Sequence, residues 1–159
     1  MAKPNRRSGR RPRATKLCQH FEDTILVGCE RAGLASLEAE HKAVIVGGAA
    51  IGCGVSLDQC RKPHEPDAPR WDYVFVRRDG DQGFAIEVHH AHPNEVTAMI
   101  DKKRWAEIVM ARCTKIKVTH WIWVASPPNG EILFLRQSPI ARRLAEAQIE
   151  FPRVKCELP

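Results

Sequence analysis

Two strand-length runs that meet across a short turn constrain this chain most. They are Trp71-Asp72-Tyr73-Val74-Phe75-Val76 and Phe84-Ala85-Ile86-Glu87-Val88-His89, and between them lies Asp79-Gly80-Asp81. β-Branched and aromatic residues bounded by Gly and Asp favour paired strands. Side chains alternate faces along a strand, so Ala85, Glu87 and His89 share one side while Ile86 and Val88 take the other. Asp72 opens the first run, so two carboxylates and a base can converge at one edge of a small sheet. Glu87 sits between Ile86 and Val88 in a run apolar enough for an inner strand. A carboxylate there needs a metal ion, a cation or a dense set of hydrogen bonds. The plain alternatives are a salt bridge from Glu87 to Lys103, and Asp72 as a strand-start residue accepting backbone N–H bonds.

Pro93 and Asn94 then open a helix that runs to about Cys113. At about 100° per residue, Val96, Met99, Ile100, Ala106 and Met110 form an apolar arc, and Lys103 falls inside it. A lysine so placed often packs its stem on the core while its ammonium reaches water. Beside Glu87 and His89 it becomes a candidate for binding phosphate or orienting water. His89, His90 and His92 follow Glu87 closely, but His89 and His90 face opposite ways on a strand. No HExxH motif or Cys at ligand spacing supports a zinc site there.

Elsewhere Leu17, Phe21, Ile25 and Cys29 recur every four residues and predict a helix over 15–31, with a second helical stretch over 34–43. Short strands are expected at 44–46 and 55–57, on either side of glycine-rich turn chemistry. That segment lacks the Gly-Lys-Ser/Thr ending of a phosphate loop. Three prolines make 60–70 a loop. His120-Trp121-Ile122-Trp123-Val124 and Ile132-Leu133-Phe134-Leu135 read as strands joined by an Asn129-Gly130 hairpin turn, with both tryptophans as core. Ser138-Pro139 starts a helix to about Gln148, and 154–158 is a last edge strand. The mixture places the chain in the α/β or α+β class.

With 159 residues, one domain over 17–159 is expected, preceded by a basic arm over 1–16. Seven of the 25 Lys and Arg fall in that arm and no acid does, so 18 cations remain against 19 acids in a near-neutral body. Arg6, Arg7, Arg10, Arg11 and Arg13 suit phosphate backbones, where each neutralised phosphate releases counterions. A disordered solubilising tail is the plain alternative. Six scattered cysteines without a CxxC pair predict neither a zinc knuckle nor a disulfide framework, and reduced thiols in a cytoplasmic protein are the simplest expectation. No run reaches the roughly 20 apolar residues of a membrane span.

In this layout the chain resembles the PD-(D/E)xK phosphodiesterase superfamily, which includes restriction endonucleases and Holliday-junction resolvases. The resemblance covers roughly residues 34–125. It implies a restriction-endonuclease-like core, a small mixed sheet flanked by helices, with Asp72 as the first acid and Glu87 as the second. Trp71 stands where proline is usual, and His89 where lysine is expected. Some lineages of the superfamily move that lysine to the following helix, where Lys103 lies. A further acid often comes from the first helix, which leaves Glu38, Glu40 and the neighbouring Asp58 open. The activity implied is hydrolysis of a nucleic-acid phosphodiester, DNA ahead of RNA, with Mg²⁺ or Mn²⁺ held by Asp72 and Glu87. His89 would accept a proton or serve as a nitrogen ligand. The alternative is a nuclease-like domain without catalysis, acting as a nucleic-acid-binding or protein-interaction module. The oligomeric state, a homodimer included, stays open.

Overall fold

The computed structural model describes residues 18–22 and 24–159. The basic arm and its arginines therefore lie outside the described residues. A five-stranded mixed sheet forms the centre, with strands β1 (Arg31–Ala32), β3 (Ile51–Ser56), β4 (Tyr73–Arg77), β5 (Gln82–His89) and β6 (Lys117–Ala125) in that spatial order. Strand β2 (Ile45–Gly47) instead pairs in parallel with β7 (Cys156–Leu158) in a separate two-stranded sheet. Strands β3, β4 and β5 form an antiparallel meander, and β6 returns parallel to β5. That return requires a crossover, which helix α2 (Val96–Met110) supplies. Two short helices complete the set, α1 (Leu57–Arg61) and α3 (Pro139–Glu146).

Each face of the large sheet carries its own apolar cluster. Val55, Val74, Val76, Ala85, Trp121 and Trp123 point toward α2 and α3 and meet Val96, Met99, Ala106 and Leu144. Tyr73, Phe75, Ile86, Ile122 and Val124 point the other way, onto Leu37, Ile45, Cys156 and Leu158. The helices thus cover one face and the small sheet the other. The mixed sheet with its few helices agrees with the expected α/β or α+β class.

Helix α2, the β4–β5 hairpin, β6 and α3 stand close to where periodicity predicts them. Ser138 caps α3 by accepting a hydrogen bond from the Ala141 N–H at 3.2 Å. The expected helices over 15–31 and 34–43 are corrected: their described part holds turns, β1 and two 3₁₀ turns, Gln19–Phe21 and Glu40–Ala43. Gly28 and Gly33 adopt positive φ (85° and 51°), which an α-helix cannot continue through. Of the four-residue series Phe21 is fully buried while Ile25 and Cys29 pack partly buried against the same cluster, and Leu26, outside the series, is fully buried as well. The glycine-rich segment turns just after β2, where the Ile51 N–H donates to the Gly48 carbonyl at 3.0 Å; Gly52 and Gly54 lie in β3, where a Cβ on Gly54 would overlap the Phe75 ring.

The expected hairpin of 120–124 with 132–135 is also corrected. Gly130 does turn the chain (φ 59°), but Ile132 crosses to bridge Ala91 at the end of β5. The outer edge of β6 is taken by the C-terminal segment, whose Glu150 and Arg153 N–H groups donate to Trp121 and Trp123 carbonyls at 2.8 and 3.0 Å. Covering that edge leaves fewer unpaired backbone groups for aggregation. Two disulfides, Cys18–Cys53 and Cys29–Cys60, overturn the expectation of reduced thiols for four of the six cysteines; Cys113 and Cys156 are buried and free.

Candidate functional site: an acidic pair at the end of the meander

The register of β4 and β5 builds the site. Tyr73 pairs with Ile86, so the next step along the ladder sets Asp72 directly across from Glu87. Opposed residues on one sheet face have Cβ atoms about 4.5–5.5 Å apart, and like charges so placed repel. Backbone groups lock the pair reciprocally. The Asp72 N–H donates to Glu87 Oε2 and the Val88 N–H to Asp72 Oδ2, each at 2.9 Å. The second oxygen of Glu87 accepts from the ammonium of Lys102. Glu87 is only 1 % exposed.

Burial, reinforced by the Asp72 charge, pushes the Glu87 carboxyl up to about 8, against the pull of Lys102 and of the Asp72 N–H. Burial raises Asp72 as well, opposed by the Val88 N–H, Lys102 and His41. An acid whose folded pKa lies above its unfolded value holds its proton more tightly when folded. Its contribution to stability is therefore full below about 4.5 and is lost as pH rises toward about 8. Wild-type Tm is expected to fall between pH 5 and pH 8, and Glu87→Gln, with no proton to lose there, to fall less. Parallel Tm curves for the two proteins would contradict this origin.

Lys102, not Lys103, reaches the acids. Lys103 does lie on the inward side of α2, at 5 % exposure, but it pairs with Glu107 and stacks its ammonium over the Trp121 ring, 4.9 Å from the centroid. One residue along a helix is a rotation of about 100°, so adjacent lysines address different parts of the sheet. The salt bridge expected between Glu87 and Lys103 is thus made by Lys102. Helical phase identifies which lysine is buried but not which end of the sheet it addresses.

His89 shares the Glu87 face but bonds Glu95, with Nε2 to Oε2 at 2.9 Å. Its carbonyl accepts from the Trp123 indole N–H at 3.1 Å. Of the three further acids, Asp58 lies near enough for its charge to help raise the Asp72 carboxyl. Asp58 is held by Arg70 at 2.8 Å. Glu38 accepts from Gln59 at 2.8 Å, and its own N–H donates to the Tyr73 hydroxyl at 3.3 Å. That hydroxyl also meets His41 Nδ1 at 2.8 Å, and burial raises the Tyr73 phenol. Among the described residues two groups bring three ligating atoms within 4.8 Å of one another, Glu38–Glu40–His41 and Cys18–His20–Cys53. Neither contains Asp72 or Glu87.

Two carboxylates on opposed strands and one ammonium bonded to Glu87 thus stand together at this end of the sheet. Both acids come from the β4–β5 hairpin and the cation from the helix that follows. No described helix is long and apolar enough to cross a membrane. Compared with protein-family models, with curated proteins and with solved structures, the chain matches none.

Proposed function

We propose that the protein is a metal-dependent phosphodiesterase acting on nucleic acid, DNA ahead of RNA, on a divergent restriction-endonuclease-like core. The observation that carries the reading is the cross-strand pair of half-buried Asp72 and buried Glu87, with Lys102 bonded to Glu87. Support also comes from the topology: an antiparallel meander, a helix, then a strand parallel to the last of the meander.

The donor set fits a hard divalent cation, Mg²⁺ or Mn²⁺, because hard cations take oxygen ligands and a divalent charge would favour the ionised form of both carboxyls against the burial that raises them. Asp72 and Glu87 would hold it, and when bound it would lower the pKa of a water and stabilise charge on the phosphoryl oxygens. The backbone N–H groups of Asp72 and Val88 fix the two carboxylates, so they need no reorganisation. Lys102, one-fifth exposed at its side chain, is free to swing from Glu87 to a phosphate oxygen. His89 borders the site, and its bond to Glu95 must open before it takes a proton. The basic arm would add affinity through phosphate contacts.

The inactive-module reading keeps one observation in its favour: both acids are already satisfied by N–H groups and Lys102. Incubation with plasmid and duplex oligonucleotides in Mg²⁺ or Mn²⁺ separates the two. Cleavage is expected from wild type and from Lys103→Met, and at least a tenfold slower rate from Lys102→Met. Band shift without cleavage by wild type would select the binding module.

A further inference from the structure

A second cluster lies far from these carboxylates in chemistry. Cys18 Sγ stands 3.5 Å from His20 Nδ1, and Cys53 completes a trio with all ligating atoms within 4.8 Å. Both cysteines are buried, His20 is half-buried, and the three line a cleft of about 270 Å³ with Arg77 and Arg78. In the oxidised chain Cys18 and Cys53 form a disulfide. A disulfide needs no imidazole, and Cys29–Cys60 joins no such trio among the described residues. The spacing around His20 therefore asks for another explanation.

We propose that Cys18, His20 and Cys53, once reduced, form a zinc site with one coordination position left to water. Tetrahedral zinc with Zn–S of about 2.3 Å and Zn–N of about 2.0 Å places sulfur and nitrogen about 3.5 Å apart. This is the separation already present between Cys18 and His20. The two sulfurs must part to about 3.8 Å, which side-chain rotation supplies without moving the strand. Thiolate and imidazole select zinc over Mg²⁺, whereas the Asp72 and Glu87 carboxylates have the opposite preference.

The redox step balances with a dithiol reductant. Two electrons and two protons pass from the dithiol to the Cys18–Cys53 bond, giving two protein thiols and the cyclic disulfide of the reductant. Zinc then displaces both thiol protons, and Nδ1 of His20 donates its lone pair with the ring proton on Nε2. Arg78 lines the cleft beside Arg77, whose guanidinium is paired with Asp79. Residues 18 and 53 stay cross-linked in either state, so the tether between β3 and the segment after the basic arm survives reduction.

The test uses the full chain, reduced with a dithiol, desalted anaerobically and titrated with Zn²⁺ against a chromophoric chelator, then with Co²⁺ to observe thiolate-to-metal charge transfer. One zinc per chain is expected, together with the charge-transfer band and no displacement by excess Mg²⁺. Outer partners of a metal site are worth 10–100-fold in affinity, so removing a ligand in His20→Ala should weaken zinc by about 100-fold or more. His20→Ala also leaves the oxidised disulfide available as a check on folding. The double variant Cys29→Ser/Cys60→Ser should bind as wild type. No zinc uptake by the reduced wild type, unchanged affinity in His20→Ala, or loss of binding in the double variant would overturn the proposal. None of these results bears on Asp72 and Glu87.

Discussion

Glu87→Gln and Asp72→Asn are each expected to slow Mn²⁺-supported cleavage of a supercoiled plasmid at least about a hundredfold while leaving the chain folded. Isosteric amides keep the shape of the site, and each retains one oxygen to accept its backbone N–H, from Asp72 or from Val88. What they remove is negative charge. A neutral amide is a poor ligand for a hard cation, and losing a single preorganised electrostatic contact to a reacting centre already costs about 10²–10³ in rate. The two substitutions should not add, since either leaves a site that cannot hold the ion in place. Alanine is less informative at position 87. It would leave Lys102 and the Asp72 N–H without their buried acceptor and confound activity with stability. Cleavage by either amide variant at the wild-type rate would remove these residues from catalysis.

The largest stability effect is expected at Trp123. It is fully buried on the α2 face of β6, pairs in register with Glu87, packs against Phe134 at 5.9 Å and donates its indole N–H to the His89 carbonyl. Trp123→Ala removes that volume and the indole bond, while the His89 carbonyl keeps the Ser126 N–H at 3.1 Å, and costs about 3–5 kcal/mol. Native domains hold only about 5–15 kcal/mol in total, so a large part of the stability goes. Trp123→Phe retains most of the packing and loses the hydrogen bond, for about 1 kcal/mol from that bond plus a small cavity. Urea unfolding midpoints, with m-values compared to confirm two-state behaviour, measure both. A midpoint unchanged in Trp123→Ala would show that this face of the sheet is not the core.

The parts of the fold that were legible in the amino-acid sequence are those where periodicity and burial coincide. Strands β4 and β5 with their Asp-Gly turn, the apolar arc of α2 and the two tryptophans of β6 each belong to one long regular element. The segment 18–43 misled because Phe21, Ile25 and Cys29 satisfy helical spacing while Gly28 and Gly33 turn the backbone. Apolar spacing there finds residues that pack against the core, but neither the path between them nor the fully buried Leu26. The 129–135 hairpin failed for a related reason: the edge of β6 was contested, and the C-terminal segment occupies it. Cysteine pairing was invisible because it depends on which strands become neighbours.

The candidate site divides the same way. Asp72 and Glu87 were visible because strand alternation and an antiparallel register place them opposite one another. Lys102 was not, because its reach depends on how α2 lies across the sheet, and one helical step separates it from the more deeply buried Lys103. His89 shares the expected face, yet Glu95 at the start of the next helix claims its ring. Glu38 and Glu40 gather with His41 around the Tyr73 hydroxyl, an arrangement made by folded turns.

Diffraction from crystals soaked in Mn²⁺, recorded at the manganese absorption edge, addresses the cation site itself. The account predicts one anomalous peak within about 2.0–2.6 Å of carboxylate oxygens from both Asp72 and Glu87, with the Lys102 ammonium withdrawn from Glu87. Lys102 still bonded to Glu87, with no peak between the two acids, would contradict it.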